Sequence, residues 1–139
     1  MEHAYVREEI AAPITAVWER IRAFGDIGAW ATGARVVRVD GTGVGAIRHV
    51  EGSAGRVVER CESHDEAQHS FSYSLLESPW PLANYVATVR LTALDPNRCA
   101  IEWSGSFDPT PAAPPGGRDL AETTYRGSLT ARLKESVAA

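Results

Sequence analysis

Cysteine is scarce in this chain of 139 residues, with only Cys61 and Cys99 present. Two cysteines are too few for a disulfide framework and these fit no metal-ligand spacing, so reduced thiols in a cytoplasmic protein are expected. No His/Cys cluster has the spacing of a zinc site. No apolar run approaches the ~20 residues needed to span a bilayer. The N-terminus lacks a basic stretch followed by an apolar core, which argues against a signal peptide. Positive charge is not in excess: the formal net charge is -4, so the electrostatic footprint of a nucleic-acid or anionic-membrane binder is missing. Gly41, Gly43 and Gly45 do not open a helix after a strand, which removes a dinucleotide-binding loop. Serine, histidine and aspartate occur without a nucleophile-elbow motif. Action without metal or cofactor is the expectation.

What remains is an ordinary globular composition, with 44% hydrophobic and 23% charged residues. The length fits one domain over residues 1–139. No repeat is visible, and one segment reads as a linker: Pro109 to Gly117 holds four prolines and two glycines in nine residues. Before it, residues 3–11 read as a strand, with Tyr5, Val6 and Ile10 supplying β propensity. Pro13 suits the first turn of a helix. Ile14, Val17, Trp18 and Ile21 then follow at the spacing of an amphipathic face. Gly25 separates this helix from a short second one over Asp26 to about Trp30. From about 33 to 108, turn signals recur every ten to fifteen residues, the rhythm of an antiparallel meander. After the linker, Asp119 and Glu122 resemble a capping arrangement. Ala121, Tyr125, Leu129, Leu133 and Val137 form a stripe at i+4 spacing on a final helix.

Strand alternation separates the two faces of the sheet, because successive side chains point opposite ways. Cys99, Ile101, Trp103, Gly105 and Phe107 share one face, and Tyr85, Ala87, Val89 and Leu91 share another. A tight turn at Asp95-Pro96-Asn97 sets Leu91 across from Ile101, Val89 across from Trp103, and Ala87 across from Gly105. Two tiny residues opposed on an inward face leave a gap in an interior that is normally close-packed. Either a neighbouring side chain fills it or it belongs to a cavity. Earlier in the chain, Val57, Glu59 and Cys61 share a face, while Arg56, Val58, Arg60 and Glu62 form the wet one. A turn on Ser53-Ala54 puts Arg48 opposite Glu59, so a charged pair points inward. Such a pair is tolerated only when partnered and hydrogen-bonded. Two roles fit it: an ion pair that fixes strand register, or a polar anchor and acid/base group for a ligand. In the following strand His69, Phe71, Tyr73 and Leu75 share the apolar parity. His69 reads as a rim residue, and Tyr73 as either a core tyrosine or a hydrogen-bond donor to a ligand. Trp80, between Pro79 and Pro81, reads as a stiff corner at one end of the sheet.

The order strand, two short helices, six strands and long helix resembles the START/Bet v 1-like (SRPBCC) superfamily, in particular its polyketide cyclase/dehydrase branch of small bacterial proteins. Ile10-Ala11-Ala12-Pro13 leading to Val17-Trp18, Phe24 to Trp30, and Gly43 to Arg48 carry the likeness. It continues through Val58 to Asp65, Tyr73, Pro79 and Pro81 before Tyr85, Trp103 and Phe107, and Gly127 to Lys134. The resemblance implies an α+β helix-grip fold, in which a curved seven-stranded antiparallel sheet wraps a long C-terminal helix around an internal cavity. It implies that Arg48, Glu59, Tyr73, Tyr85, Trp103 and Phe107 line that cavity. Trp30, His69, Phe71, Trp80, Ala87, Gly105 and Tyr125 complete the candidate ligand-binding set. The family has no universal catalytic residue, and the Pro-rich linker departs from its pattern.

The expected function is binding of a hydrophobic or aromatic small molecule, with cyclisation or dehydration promoted largely by positioning. Glu59 or Tyr73 would shuttle a proton and Arg48 would hold an oxygen. The alternatives are a non-catalytic carrier of a lipid or other hydrophobic metabolite, and an interaction module with an exposed apolar patch. The expected partner is a small molecule, not nucleic acid, for a protein that is a monomer or homodimer.

Overall fold

Pro13 sits in extended backbone, with φ −60° and ψ 145°, and the chain enters a helix directly after it. The proline therefore caps α1 (Ile14–Ile21) instead of occupying its first turn, and α1 buries Val17, Trp18 and Ile21. A 3-10 helix over Phe24–Ala29 follows and buries Phe24 and Ile27. The computed structural model describes residues 1–31, 33–52, 55–79, 82–109 and 117–138. Ser53-Ala54, Trp80-Pro81 and linker residues 110–116 lie outside them.

Seven strands form one antiparallel sheet: β1 (Glu2–Ile10), β2 (Arg35–Asp40), β3 (Ile47–Gly52), β4 (Gly55–Asp65), β5 (Ser70–Glu77), β6 (Leu82–Asp95) and β7 (Arg98–Pro109). Their spatial order is β1-β7-β6-β5-β4-β3-β2, a meander from β2 to β7 with β1 paired onto β7. The glycine run between β2 and β3 has a backbone reason: Gly41, Gly43 and Gly45 have φ of 82°, 67° and 89°. Side chains with a Cβ rarely take that conformation. The β6–β7 hairpin pairs Leu91 with Ile101, Val89 with Trp103 and Ala87 with Gly105, as alternation and the Asp95–Asn97 turn require. Val58 keeps the outer place that alternation gives it, paired with His49, but is buried there. It was expected on the wet face, yet it is 6% exposed, beside a register slip between Val58 and Glu59.

The C-terminal helix is continuous but not uniform: α2 (Gly117–Thr124) runs into a π-helical stretch (Tyr125–Ala131) and then α3 (Arg132–Ala138). A π turn takes an extra residue, so it rotates everything after it relative to an α-helical stripe. Ala121, Tyr125 and Leu133 keep their expected inward places. Between them the fully buried position goes to Thr130, while Leu129 is only partly buried. The Thr130 hydroxyl has no hydrogen-bond partner among the described residues.

Polar contacts fasten the helices to the sheet. Glu122 does not close a capping box; its Oε2 accepts the Tyr5 backbone N–H at 3.0 Å and lies 3.6 Å from Arg118. Lys134 Nζ donates to Glu8 Oε1 at 2.8 Å. Glu66, after β4, accepts from Trp18 Nε1 at 2.7 Å and from Arg22 at 2.8 Å, with His64 Nε2 also at 2.8 Å. The bonds from Trp18, His64 and Arg22 pull its carboxyl from the ordinary 4.5 to about 2.

Two outcomes follow from these contacts. Thr130→Val removes an orphan hydroxyl at nearly constant shape and should stabilise the fold by about 1 kcal/mol in urea denaturation, since an unsatisfied buried polar group costs roughly that much. Loss of stability would mean that the hydroxyl is satisfied. The lowered Glu66 value means that its contribution is complete above pH 4.5 and is lost as pH falls towards 2. Glu66→Gln should therefore lower Tm at pH 6 and flatten the fall in Tm between pH 5 and pH 2. An unchanged acid limb would contradict the assignment.

Candidate functional site

Arg48 on β3 and Glu59 on β4 are direct cross-strand partners on the inner face. Arg48 is 3% exposed, and its Nε and one terminal nitrogen each lie 2.9 Å from Glu59 Oε1. Its other terminal nitrogen donates to the Phe24 carbonyl oxygen at 2.9 Å, and the guanidinium lies 3.9 Å from the centroid of the Phe24 ring. A buried cation needs such partners, because desolvation costs several kcal/mol per ion. Among the described residues no hydrogen bond falls on Glu59 Oε2. The acid is held by one oxygen and offers the other.

Across the next strands, Tyr73 pairs with Ala87 and Ala87 with Gly105, a row running over β5, β6 and β7. The space above the two small residues is occupied. Tyr125 reaches down from the helix and its hydroxyl is hydrogen-bonded to that of Tyr85. A Cβ added at Gly105 would collide with the Tyr125 hydroxyl and would lie 3.3 Å from that of Tyr85. Tyr85 is aimed inward from an irregular stretch of β6, where Asn84 has φ 54° and the register skips between Ala83 and Val86. Such bulges re-aim side chains. The Tyr73 hydroxyl accepts a hydrogen bond from Trp103 Nε1 at 3.1 Å. Burial pushes the Tyr125 phenol up to about 12 and those of Tyr73 and Tyr85 well above the ordinary 10. All three are neutral O–H groups at physiological pH.

Between the helix, the 3-10 helix and the sheet lies a cavity of about 730 Å³. Ile27, Val50, Leu75, Leu82 and Leu129 supply apolar wall, and Arg48, Glu59, Tyr73, Tyr85 and Tyr125 supply polar groups. This volume falls in the usual range for small-molecule sites, roughly 300–1,000 Å³. Among the described residues no group of three His, Cys, Asp or Glu side chains is placed to hold a metal ion.

The remaining sequence candidates stand behind this wall or away from it. Trp103 stacks on Tyr125 with centroids 5.6 Å apart, Phe107 on Tyr85 at 6.2 Å, and Trp30 lies 6.5 Å from Trp103. Trp103 and Phe107 hold the lining tyrosines, Trp30 backs Trp103, and none of the three lines the cavity. Phe71 packs 6.4 Å from both Trp18 and Phe24. His69, at φ 49°, sits edge-on to Trp18 at 5.5 Å and outside the lining. Trp80 falls outside the described residues. The lining also includes Leu82 and Leu129, which alternation and the i+4 stripe did not single out as ligand-facing. Leu129 joins it because the π stretch turns that residue off the core face.

A family model described as polyketide cyclase / dehydrase and lipid transport matches residues 1–139. The chain belongs to that family. A family member's fold is what solved structures also show. An uncharacterised protein from Bacillus thuringiensis superposes with a TM-score of 0.86 at 24% identity, over 99% of this chain and 100% of its own. A protein from Nitrosospira multiformis gives 0.81 at 28% identity, over 98% and 96%. Norcoclaurine synthase from Thalictrum flavum, solved with dopamine and hydroxybenzaldehyde, gives 0.81 at 16% identity, over 99% and 86%. At that identity the likeness is one of fold. Among the described residues no helix is long and apolar enough to cross a membrane.

The tyrosine pair over Gly105 makes this position intolerant of any side chain. Gly105→Ala should destabilise the protein by about 1–3 kcal/mol in urea denaturation, the usual cost of overpacking. A change within error would show that the pair is free to move away.

Proposed function

We propose that this member of the polyketide cyclase/dehydrase family binds an apolar, aromatic small molecule between its C-terminal helix and sheet, and promotes cyclisation or dehydration there. The observation that carries this reading is the cavity of about 730 Å³, whose wall combines apolar side chains with Glu59, Arg48 and three tyrosines on the sheet side and beneath the helix, and with Thr123, Thr124, Arg132 and Glu135 along the helix. Holding a flexible substrate in a reactive shape supplies much of such an acceleration. Glu59 is the acid/base group, because Oε2 has no partner among the described residues while Oε1 is fixed by Arg48. Arg48 is a positioning residue, since its bonds run to Glu59 and to the Phe24 carbonyl. Tyr73 donates a hydrogen bond to the ligand; its raised pKa suits a donor better than a proton shuttle. The synthase that shares this fold was solved with two aromatic ligands, which is in keeping with an aromatic occupant here.

Native mass spectrometry of freshly purified protein, followed by extraction, identifies the bound metabolite, and incubation with that metabolite tests for conversion. Glu59→Gln should keep binding and lower turnover by about a hundredfold or more, the usual size of general acid–base catalysis. Arg48→Met should lower turnover through a displaced Glu59. A metabolite recovered unaltered would make the protein a carrier, the family's other described role. Wild-type turnover in Glu59→Gln would remove the assigned acid/base group.

A further inference from the structure

Three phenols line one cavity, and their protons can be counted. Between Tyr85 and Tyr125 there are two hydroxyl protons but a single mutual hydrogen bond, so one O–H is left over whichever residue donates. Tyr73 uses its oxygen to accept from Trp103, and no acceptor among the described residues takes its proton. Two phenolic donors therefore remain, and both belong to the cavity lining. Tyr73 and the tyrosine pair both border Trp103. Trp103 donates to the Tyr73 hydroxyl with its indole nitrogen and stacks its ring on Tyr125, and Tyr73, Ala87 and Gly105 form one cross-strand row under the tyrosine pair.

A buried donor without an acceptor is costly, so such a site favours a ligand that brings one. A carbonyl oxygen has two lone pairs and can accept two donors. Building on the cavity reading above, we propose that Tyr73 and the Tyr85–Tyr125 pair form a carbonyl-binding subsite, and that the ligands of this protein are aromatic ring ketones. A hydrocarbon ligand, which has no acceptor, would leave both donors unpaired. A cationic amine would offer only further donors. Because burial holds all three phenols above their ordinary pKa, the donor set is constant across the neutral range.

Fluorene and 9-fluorenone share one ring system and differ by a carbonyl, so they separate the subsite from the cavity around it. Titration followed by tryptophan fluorescence should show fluorenone binding about tenfold more tightly than fluorene, as two neutral hydrogen bonds allow. The infrared C=O band of bound fluorenone should lie below its position in hexane. Tyr73→Phe should move the band back towards the hexane value and remove most of the preference, with an unchanged far-UV circular-dichroism spectrum as the control for folding. Tyr85→Phe leaves one hydroxyl in the pair and should keep most of the shift, whereas the Tyr85→Phe/Tyr125→Phe double variant should lose it. Equal affinities with a band at the hexane position, or a preference unaltered by Tyr73→Phe and by the double variant, would overturn the subsite and leave the cavity reading standing. Failure of both compounds to bind would overturn the subsite and the cavity reading together.

Discussion

The approach of Tyr125 to the bare backbone of Gly105 determines how far the C-terminal helix stands from the sheet. Glycine has no Cβ, so the phenol can rest on β7 and meet the Tyr85 hydroxyl there. Trp103 and Phe107, on either side of Gly105 along β7, stack on Tyr125 and Tyr85 and hold both rings in place. On one side the helix packs against β1 and α1. On the other it faces β3, β4 and β5 across the cavity instead of closing onto them. A long helix laid over a curved sheet normally seeks close packing. Here large rings prop it at one point, and the cavity is the space that this leaves.

The polar groups of the cavity divide into satisfied and unsatisfied ones, and the division carries the chemistry. Arg48 is enclosed by Glu59, the Phe24 carbonyl and the Phe24 ring. That enclosure makes its charge tolerable in a buried place and fixes one oxygen of Glu59. Around that pair and the tyrosines, Glu59 Oε2 and two phenolic protons have no partner among the described residues. An acceptor and two donors in an apolar enclosure act more strongly than they would in water, because the local dielectric is low. They also discriminate, since a ligand that fails to pair them leaves polar groups buried and bare.

Much of this was legible in the chain. Alternation with turn position was enough to set Arg48 against Glu59 and Ala87 against Gly105, since strand register follows from the hydrophobic pattern and the turn. The inward charged pair and the small-residue row are therefore written in the residue pattern itself. Depth was not visible. Parity tells which face a side chain takes, but not whether another ring covers it, so Trp103 and Phe107 share the lining's face yet stand behind Tyr125 and Tyr85. The gap over Gly105 had two readings, and the filled one holds, because Tyr125 comes from a helix whose height parity does not report. Leu129 and Thr130 exchange roles because one π-helical stretch interrupts the i+4 stripe, and nothing in residue spacing marks it. Val58 keeps its parity opposite His49 yet is buried there, which alternation alone does not report. Glu66, which joins Trp18, Arg22 and His64, was missed because its partners are scattered in sequence.

The central claim is that an apolar ligand occupies the space between helix and sheet. Methyl-resolved NMR during titration with an apolar ring compound tests it most directly. Signals of Val50, Leu75, Leu82 and Leu129, which line the cavity, should shift together, while those of the exposed Val39, Val86 and Leu94 stay in place. Shifts confined to the exposed three, or none in the lining four at saturation, would contradict the account.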